Sequence, residues 1–402
     1  SFFYNVYFLS FFFLFLFLQG SMLGTIFSAD IFNIYILYEL VSIATYLLIA
    51  YYQHGVSLRA SFNYLLMSAV GLSLFLLAVG SLYAMTGTLY IPAIAKQVPA
   101  IFSYNPQILT ISMVLIITCM GIKMAMFPLH AWLPNAHSLA PSPVSAILSG
   151  VVVKVGVYCL ARLFYGIFGW ESSLIIGSYY ILMFLSAITL IFGAVMALAQ
   201  IDLKRMLAYS TITQIGIILI GFSINNNKGF EGAFFHVLNH AILKSALFCC
   251  AGVIIQQTGS RKIQELNGFA KRNPQVAFCF IILSLGIIGI PPMNGFVSKF
   301  LICLAAIESG HSILAVAIIF SSIITAAYFF RVIQVFYSDS FQAAESFHNM
   351  NVPEGFVGRN NFFKLGPIFI LTGLSLVLGI IPSLGIYLIQ PGITILLSNI
   401  IQ

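Results

Sequence analysis

Four lysines and one arginine sit inside apolar runs: Lys123, Lys154, Lys244, Lys299 and Arg331. A charged side chain at a membrane-helix centre costs at least about 2.5–3.5 kcal/mol, so several in one chain require a protein-lined, partly wet interior. Lys154, in SAILSGVVVKVGVYCLARLF, is too deep for its side chain to reach an interface. Lys244 is equally central in FFHVLNHAILKSALFCCAG, where His236, His240 and Lys244 follow one another at four-residue steps. Each step turns about 40° around a helix, so the three groups share one face. One buried histidine alone would read as a satisfied core residue. Three titratable groups in line have the chemistry of a proton relay, because imidazole titrates near neutrality and amines do so once desolvated.

Glu39, in DIFNIYILYELVSIATYLLIAYY, is the only carboxylate at comparable depth, and it needs a cation. Lys123 is the natural candidate, since a buried pair costs less than two lone charges. Lys123 precedes Pro128 in GIKMAMFPLHAWLPNAH, and Lys299 follows Pro292 in GIIGIPPMNGFVSKFLI. Proline removes a backbone donor, so both prolines mark broken helices whose freed carbonyls and amides line a cavity. His130 and His137, just beyond the first break, are secondary candidates.

These groups must be positioned by helices that span a bilayer. The 402 residues are 60% hydrophobic and 7% charged, which excludes a water-soluble domain. The net charge of +7 is spread singly between apolar runs, and no nucleic-acid motif is present. Cys119, Cys159, Cys249, Cys250, Cys279 and Cys303 lie in apolar stretches without metal-ligand spacing and read as small core hydrophobes, so no cofactor is expected. Apolar runs between breakers predict eleven segments: 2–27, 31–52, 61–86, 107–127, 143–168, 174–199, 206–223, 232–256, 275–304, 312–337 and 365–388. Helices are required, since lipid leaves no water for backbone groups and no alternating ten-residue pattern appears. If the segments alternate direction, Arg59, Lys204, Arg205, Arg261, Lys262, Lys271, Arg272, Arg359 and Lys364 collect on one face, which the positive-inside rule makes cytoplasmic. Lys96, Lys228 and Arg162 fall on the other. The connection 338–364, with Asp339, Glu345 and Glu354, reads as a cytoplasmic loop or amphipathic element.

The two proline-broken, lysine-bearing segments are five apart and so cross in opposite senses. That predicts an all-α, polytopic transmembrane protein with two inverted five-helix repeats, 1–173 and 174–337, followed by a connection and a last transmembrane helix in 338–402. The chain opens at Ser1 inside an apolar run and reads as a fragment of a longer protein.

Four blocks carry a family resemblance: MAMFPLHAWLPNAHSLAPSPVSAILSGVVVKVGVYCLAR, QIDLKRMLAYSTITQIG, FHVLNHAILKSALF and GIPPMNGFVSKFLI. Over nearly the whole chain, from Ile31 to Tyr337, it resembles the antiporter-like proton-translocating subunits of respiratory complex I, membrane-bound hydrogenases and Mrp-type cation/proton antiporters. Lysines at Lys154 and Lys299, with TGTLY and APSPVS, bring it closest to the D-type component of Mrp antiporters, with hydrogenase subunits and the third antiporter-like subunit of complex I next. The resemblance implies a fold of about fourteen helices, about three of them absent before Ser1. It makes Glu39 and Lys123 the carboxylate–lysine pair of the first half-channel, Lys154 the connecting lysine, and Lys299 the terminal lysine of the second. His236, His240 and Lys244 match its central stretch. Where the family commonly has aspartate this chain has Asn135, which removes a titrating neighbour from His137.

The resemblance further implies other membrane subunits as partners, in the cell inner (plasma) membrane or the mitochondrial inner membrane, and protons as cargo. Sodium would need several oxygen ligands, and Ser149, Ser210, Thr211 and Thr213 are not arranged convincingly for it. A redox or quinone-binding enzyme would need a cofactor-ligand set that the scattered histidines do not supply. A passive scaffold would be glued by serine, threonine or asparagine rather than by costly lysines.

Overall fold

The computed structural model describes residues 2–169, 173–338 and 362–398. Its helices are α1 (Phe2–Phe27), α2 (Ile31–Ile49), α3 (Gly55–Thr86), α4 (Ile91–Tyr104), α5 (Pro106–Lys123), α6 (Trp132–Leu139), α7 (Ser142–Ile147), α8 (Val153–Phe168) and α9 (Ser173–Leu198). They continue as α10 (Leu203–Ser223), α11 (Asn227–Thr258), α12 (Phe269–Arg272), α13 (Pro274–Ile288), α14 (Asn294–Glu308), α15 (Ser312–Tyr337), α16 (Phe362–Ile380) and α17 (Pro382–Ser398). A π-helical turn, Leu148–Val152, joins α7 to α8.

Among the described residues, nine of the eleven predicted segments form helices long and apolar enough to cross a membrane. The other two are interrupted. Segment 275–304 splits into α13 and α14 around Gly289–Met293, and 365–388 is two helices, α16 and α17, bent by 90° at Ile381. The last transmembrane helix expected there is therefore a bent pair, because Pro382 cannot continue the ladder of α16. Helix α4 was not foreseen; it is short, and Ile91, Ile94, Val98 and Ile101 bury one stripe of it. Asp339, Glu345, Glu354, Arg359 and the Lys364 side chain lie outside the described residues.

Helix ends repeat at a fixed spacing. Asp30 caps α2 by accepting from Phe32 N and Asn33 N, and Asp202 caps α10 by accepting from Arg205 N. Each aspartate also sits in an isolated antiparallel bridge, Asp30 with Tyr90 and Asp202 with Lys262, so both partners recur after 172 residues (30 to 202, 90 to 262). The same offset carries Gly55–Thr86 onto Asn227–Thr258, with Gly87 and Gly259 as left-handed C-caps. The two breaks recur after 164 residues. Met126 N bonds to Gly121 O and Ile290 N to Leu285 O, while Ala125 (φ 58°) and Gly289 (φ 87°) take the left-handed turn. The Phe127–Pro128 and Pro291–Pro292 peptides are both cis.

Helix α10 is the central post of the bundle, its whole apolar window buried by its neighbours. Two glycines let α9 reach it: a Cβ on Gly216 would lie 2.5 Å from Leu190 N, and one on Gly193 2.6 Å from Thr213 N. The polar residues of α10 therefore face protein, and the exposed Leu, Ile and Phe side chains of α1, α3 and α15 form the outer surface.

Candidate functional site

Lys123 ends α5 and is buried. Its Nζ donates to Ser42 Oγ on α2 (2.6 Å) and to Ser68 Oγ on α3, and lies 5.0 Å from the centre of the Tyr38 ring. Glu39 is half-buried, and no Glu39–Lys123 ion pair forms within 4.0 Å. The expected carboxylate partner is replaced by two hydroxyls and a ring face. The break beside Lys123 does not hold the amine either, since Ile122 O accepts from the Trp132 indole (2.7 Å) and from Ala125 N.

Lys154, one residue into α8, donates to Ser149 O within the π-turn. A π-turn shifts the backbone ladder by one residue, which opens a carbonyl to a side chain. Ser149 also bonds through its hydroxyl to Thr211 Oγ1 on α10 (2.8 Å), and Thr211 in turn donates to Leu207 O. Lys244 of α11 donates to that same Leu207 O (2.9 Å) and to Ser210 Oγ. Lys154 and Lys244 are thus tied together through Ser149, Thr211 and one carbonyl. Gly150 makes this possible, because a Cβ there would overlap Ser245 Oγ on α11.

His236 and His240 lie one turn apart on α11, their rings 6.2 Å apart and 11° from parallel. His236 is bonded at both nitrogens, Nε2 to Gln214 Oε1 (2.9 Å) and Nδ1 to Ser298 Oγ (2.8 Å). An amide oxygen only accepts, so Nε2 carries the proton and Nδ1 accepts from the serine. Asn239 and Asn294 bond reciprocally (3.0 and 3.1 Å), and Ser375 on α16 donates to Asn294 Oδ1, which ties the start of α14 to α11. Lys299 of α14 donates to Ile287 O (2.8 Å), Ile288 O (2.9 Å) and Ser322 Oγ (3.0 Å). Here the expectation of carbonyls freed at a proline break is met.

His137 is fully buried and stacks on Phe248 (4.9 Å), with neither nitrogen bonded to protein. His130 is half-buried against Phe127 and Phe192 and stands apart from the chain of groups above. Two cations expected elsewhere have structural work. Lys204, read as a loop cation, is buried and donates to Ala140 O (2.9 Å), while Arg331 caps the end of α9 through Leu198 O and Gln200 O. The serines, Tyr38, Gln214, Asn239, Asn294 and Ser298 were missed by the sequence reading. Their signal there was only that α10 carries four polar residues, Ser210, Thr211, Thr213 and Gln214, in an apolar run.

Among the described residues no group of three or more His, Cys, Asp or Glu could hold a metal ion. The arrangement is a line of amines, imidazoles and hydroxyls through the bundle, with chemistry suited to holding and passing protons.

Residues 28–325 match the family model described as NADH:quinone oxidoreductase/Mrp antiporter, TM. The chain is 36% identical over 394 residues to the N-type component of NADH-quinone oxidoreductase from Desulforudis audaxviator, covering 98% of this chain and 76% of that protein. It is 32% identical over 308 residues to the D-type component of the Na(+)/H(+) antiporter from Bacillus subtilis, covering 77% of this chain and 62% of that one. In structure it is similar to a chain of the membrane-bound sulfane sulfur reductase, an archaeal respiratory membrane complex, with a TM-score of 0.86, 30% identity, and 96% of this chain and 77% of that chain covered.

Proposed function

Because the chain belongs to the NADH:quinone oxidoreductase/Mrp antiporter transmembrane family, we propose that it moves protons across a membrane as one subunit of a multi-subunit complex. The complex is an Mrp-type exchanger of a monovalent cation such as sodium against protons, in the plasma membrane. One observation carries the proton reading: Lys123, Lys154, Lys244 and Lys299 are 3%, 6%, 0% and 5% exposed, and each is bonded only to hydroxyls or backbone carbonyls. Fixed structural charges would be paired with carboxylates. Amines left with neutral partners can lose and regain a proton without stranding a counter-charge.

Two half-channels divide the work, one in 1–173 and one in 174–337, as inverted repeats; the constant offsets of 172 and 164 residues between their caps and breaks support this. The region 338–402 adds a connection and the closing α16–α17 pair. Lys123 takes the proton in the first half, with Glu39 as the nearby carboxylate. Lys154 passes it through Ser149 and Thr211 to Lys244, and His240, His236 and Ser298 lead to Lys299. In a dry interior like charges repel strongly, so a proton arriving at one amine drives one off the next. His137 and His130 lie beside the first break as side branches.

A second reading has support of its own: the relative matched over 98% of this chain is a subunit of NADH-quinone oxidoreductase, so the complex is alternatively a proton-pumping oxidoreductase. Mass spectrometry of subunits retained in mild detergent separates the two, small membrane subunits indicating an exchanger and iron–sulfur proteins an oxidoreductase. Proton uptake into sealed vesicles tests the shared claim. Lys123→Ala is expected to abolish uptake at unchanged protein level, and normal uptake by that variant would refute the assignment.

A further inference from the structure

The offset of 172 lays α2 and α3 onto α10 and α11 without a gap, and the offset of 164 lays the end of α5 onto the end of α13. Side-chain packing obeys both registers. Gly71 on α3 receives Ile122 of α5, whose Cδ1 would lie 3.2 Å from an added Cβ. At the corresponding pair, Leu243 of α11 is received by Gly286 of α13, with Cδ2 2.6 Å from an added Cβ. Large and small residue have changed places and the contact is kept.

Under these registers Lys123 corresponds to Ile287, and its partners Ser42 and Ser68 correspond to Gln214 and His240. An isoleucine side chain ends two atoms short of a lysine's, so nothing at position 287 delivers an amine to this place. The nearby amines are committed elsewhere, Lys299 to Ile287 O and Ile288 O and Lys244 to Leu207 O and Ser210. Gln214 Nε2 and both nitrogens of His240 are fully buried and bonded to no protein atom. Buried polar atoms are bonded to protein or to water in the great majority of cases, and each exception asks for a partner.

The chemistry of these three atoms selects the guest. Gln214 Oε1 is taken by His236, so the amide offers only N–H to the site. A neutral His240 offers one N–H and one lone pair. The guest must therefore accept two hydrogen bonds and donate one. Sodium accepts none and needs several oxygens. Water does all three and makes about that number of bonds when buried. We propose that Gln214 and His240 bind a water molecule at the second-half counterpart of the Lys123 ammonium, and that this water is the proton-carrying link between His240 and its neighbours. The water's use rests on the proton reading above; the seat itself rests on hydrogen bonding alone.

The test is water-edited solid-state NMR of the full-length chain with its co-purifying subunits in lipid bilayers, labelled with 15N-histidine and assigned by the difference from His240→Asn. Transfer from water protons to a His240 nitrogen is expected in the wild type and lost in Gln214→Leu. Ile287→Lys supplies the missing amine, so it is expected to abolish the transfer and cut proton uptake at least tenfold. Absence of transfer at His240 in the wild type, a measurement that needs no folded variant, overturns the proposal. So does transfer unchanged in both variants, or a His240 resonance that moves with sodium at fixed pH. Wild-type vesicles that show the transfer but no proton uptake would sink the functional reading and leave the seat standing.

Discussion

The four buried amines differ in what holds them. Lys299 and Lys154 lean on carbonyls opened by irregular backbone, whereas Lys123 depends on two hydroxyls from other helices. A hydrogen bond to a charged group is worth about 1.5–3 kcal/mol, so each serine matters to the protonated amine. Ser42→Ala with Ser68→Ala is expected to slow proton uptake into vesicles at least tenfold, each single change doing less, with membrane abundance retained. Uptake unaffected by the double change would mean that Lys123 is not loaded from this position. The lysines and the His236–His240–Lys244 line were legible in the sequence because the cost of burying such groups depends on residue type and depth, and both are written there. Their partners were not legible. Ser42 and Ser68 are 81 and 55 residues from Lys123, and serine is a common neutral glue in membrane helices, so neither type nor position singles them out. The Glu39–Lys123 pair was a reasonable guess from charge alone, and the fold supplied cheaper partners.

At the scale of elements, the irregular turns set the site. Proline announced both breaks, but nothing except Gly150 marked the π-turn that seats Lys154, because hydrogen-bond slippage leaves no compositional trace. Gly150→Val would drive its side chain into Ser245 on α11 and close to Ala241 O, at 3.4 Å from the added Cβ. Overpacking of this kind costs about 1–3 kcal/mol, so a lower thermal midpoint is expected in detergent, partly restored by Ser245→Ala, which removes the colliding hydroxyl. No restoration would place the strain elsewhere. The second break gives a sharper contrast. Gly289 is left-handed, and its Cβ would lie 3.1 Å from Lys299 Cδ, whereas Ala125 already carries the left-handed cost at the first break. Gly289→Ala is expected to lose about 1–2 kcal/mol of stability and to impair uptake by shifting Lys299, while Ala125→Gly leaves uptake intact. Equal tolerance at both positions would show that Lys299 is not held against the turn. The bend between α16 and α17 went unforeseen because an apolar run interrupted by one proline reads equally as a kinked span.

For the whole molecule, the depth of the relay follows from one helix. With 32 residues α11 rises about 48 Å, well beyond a hydrocarbon core of about 30 Å, so its two ends belong on opposite sides of the membrane. Lys244 lies 16 residues after Lys228 and 18 before Lys262, which puts it near the midplane with His240 and His236 stepping away from it. Lys228 and Lys262 sit in exposed ion pairs with Glu308 and Glu265, and such pairs contribute little, so cysteines there leave the fold intact. The spread of loop cations puts Lys262 on the cytoplasmic side and Lys228 opposite. A membrane-impermeant maleimide is therefore expected to label Lys228→Cys in right-side-out vesicles and Lys262→Cys only in inverted ones, against a background in which the six native thiols are buried or half-buried. Labelling of both from one side would mean that α11 does not cross. His236, His240 and Lys244 would then lose the depth that makes their burial costly, and with it the reason to read them as carriers of charge.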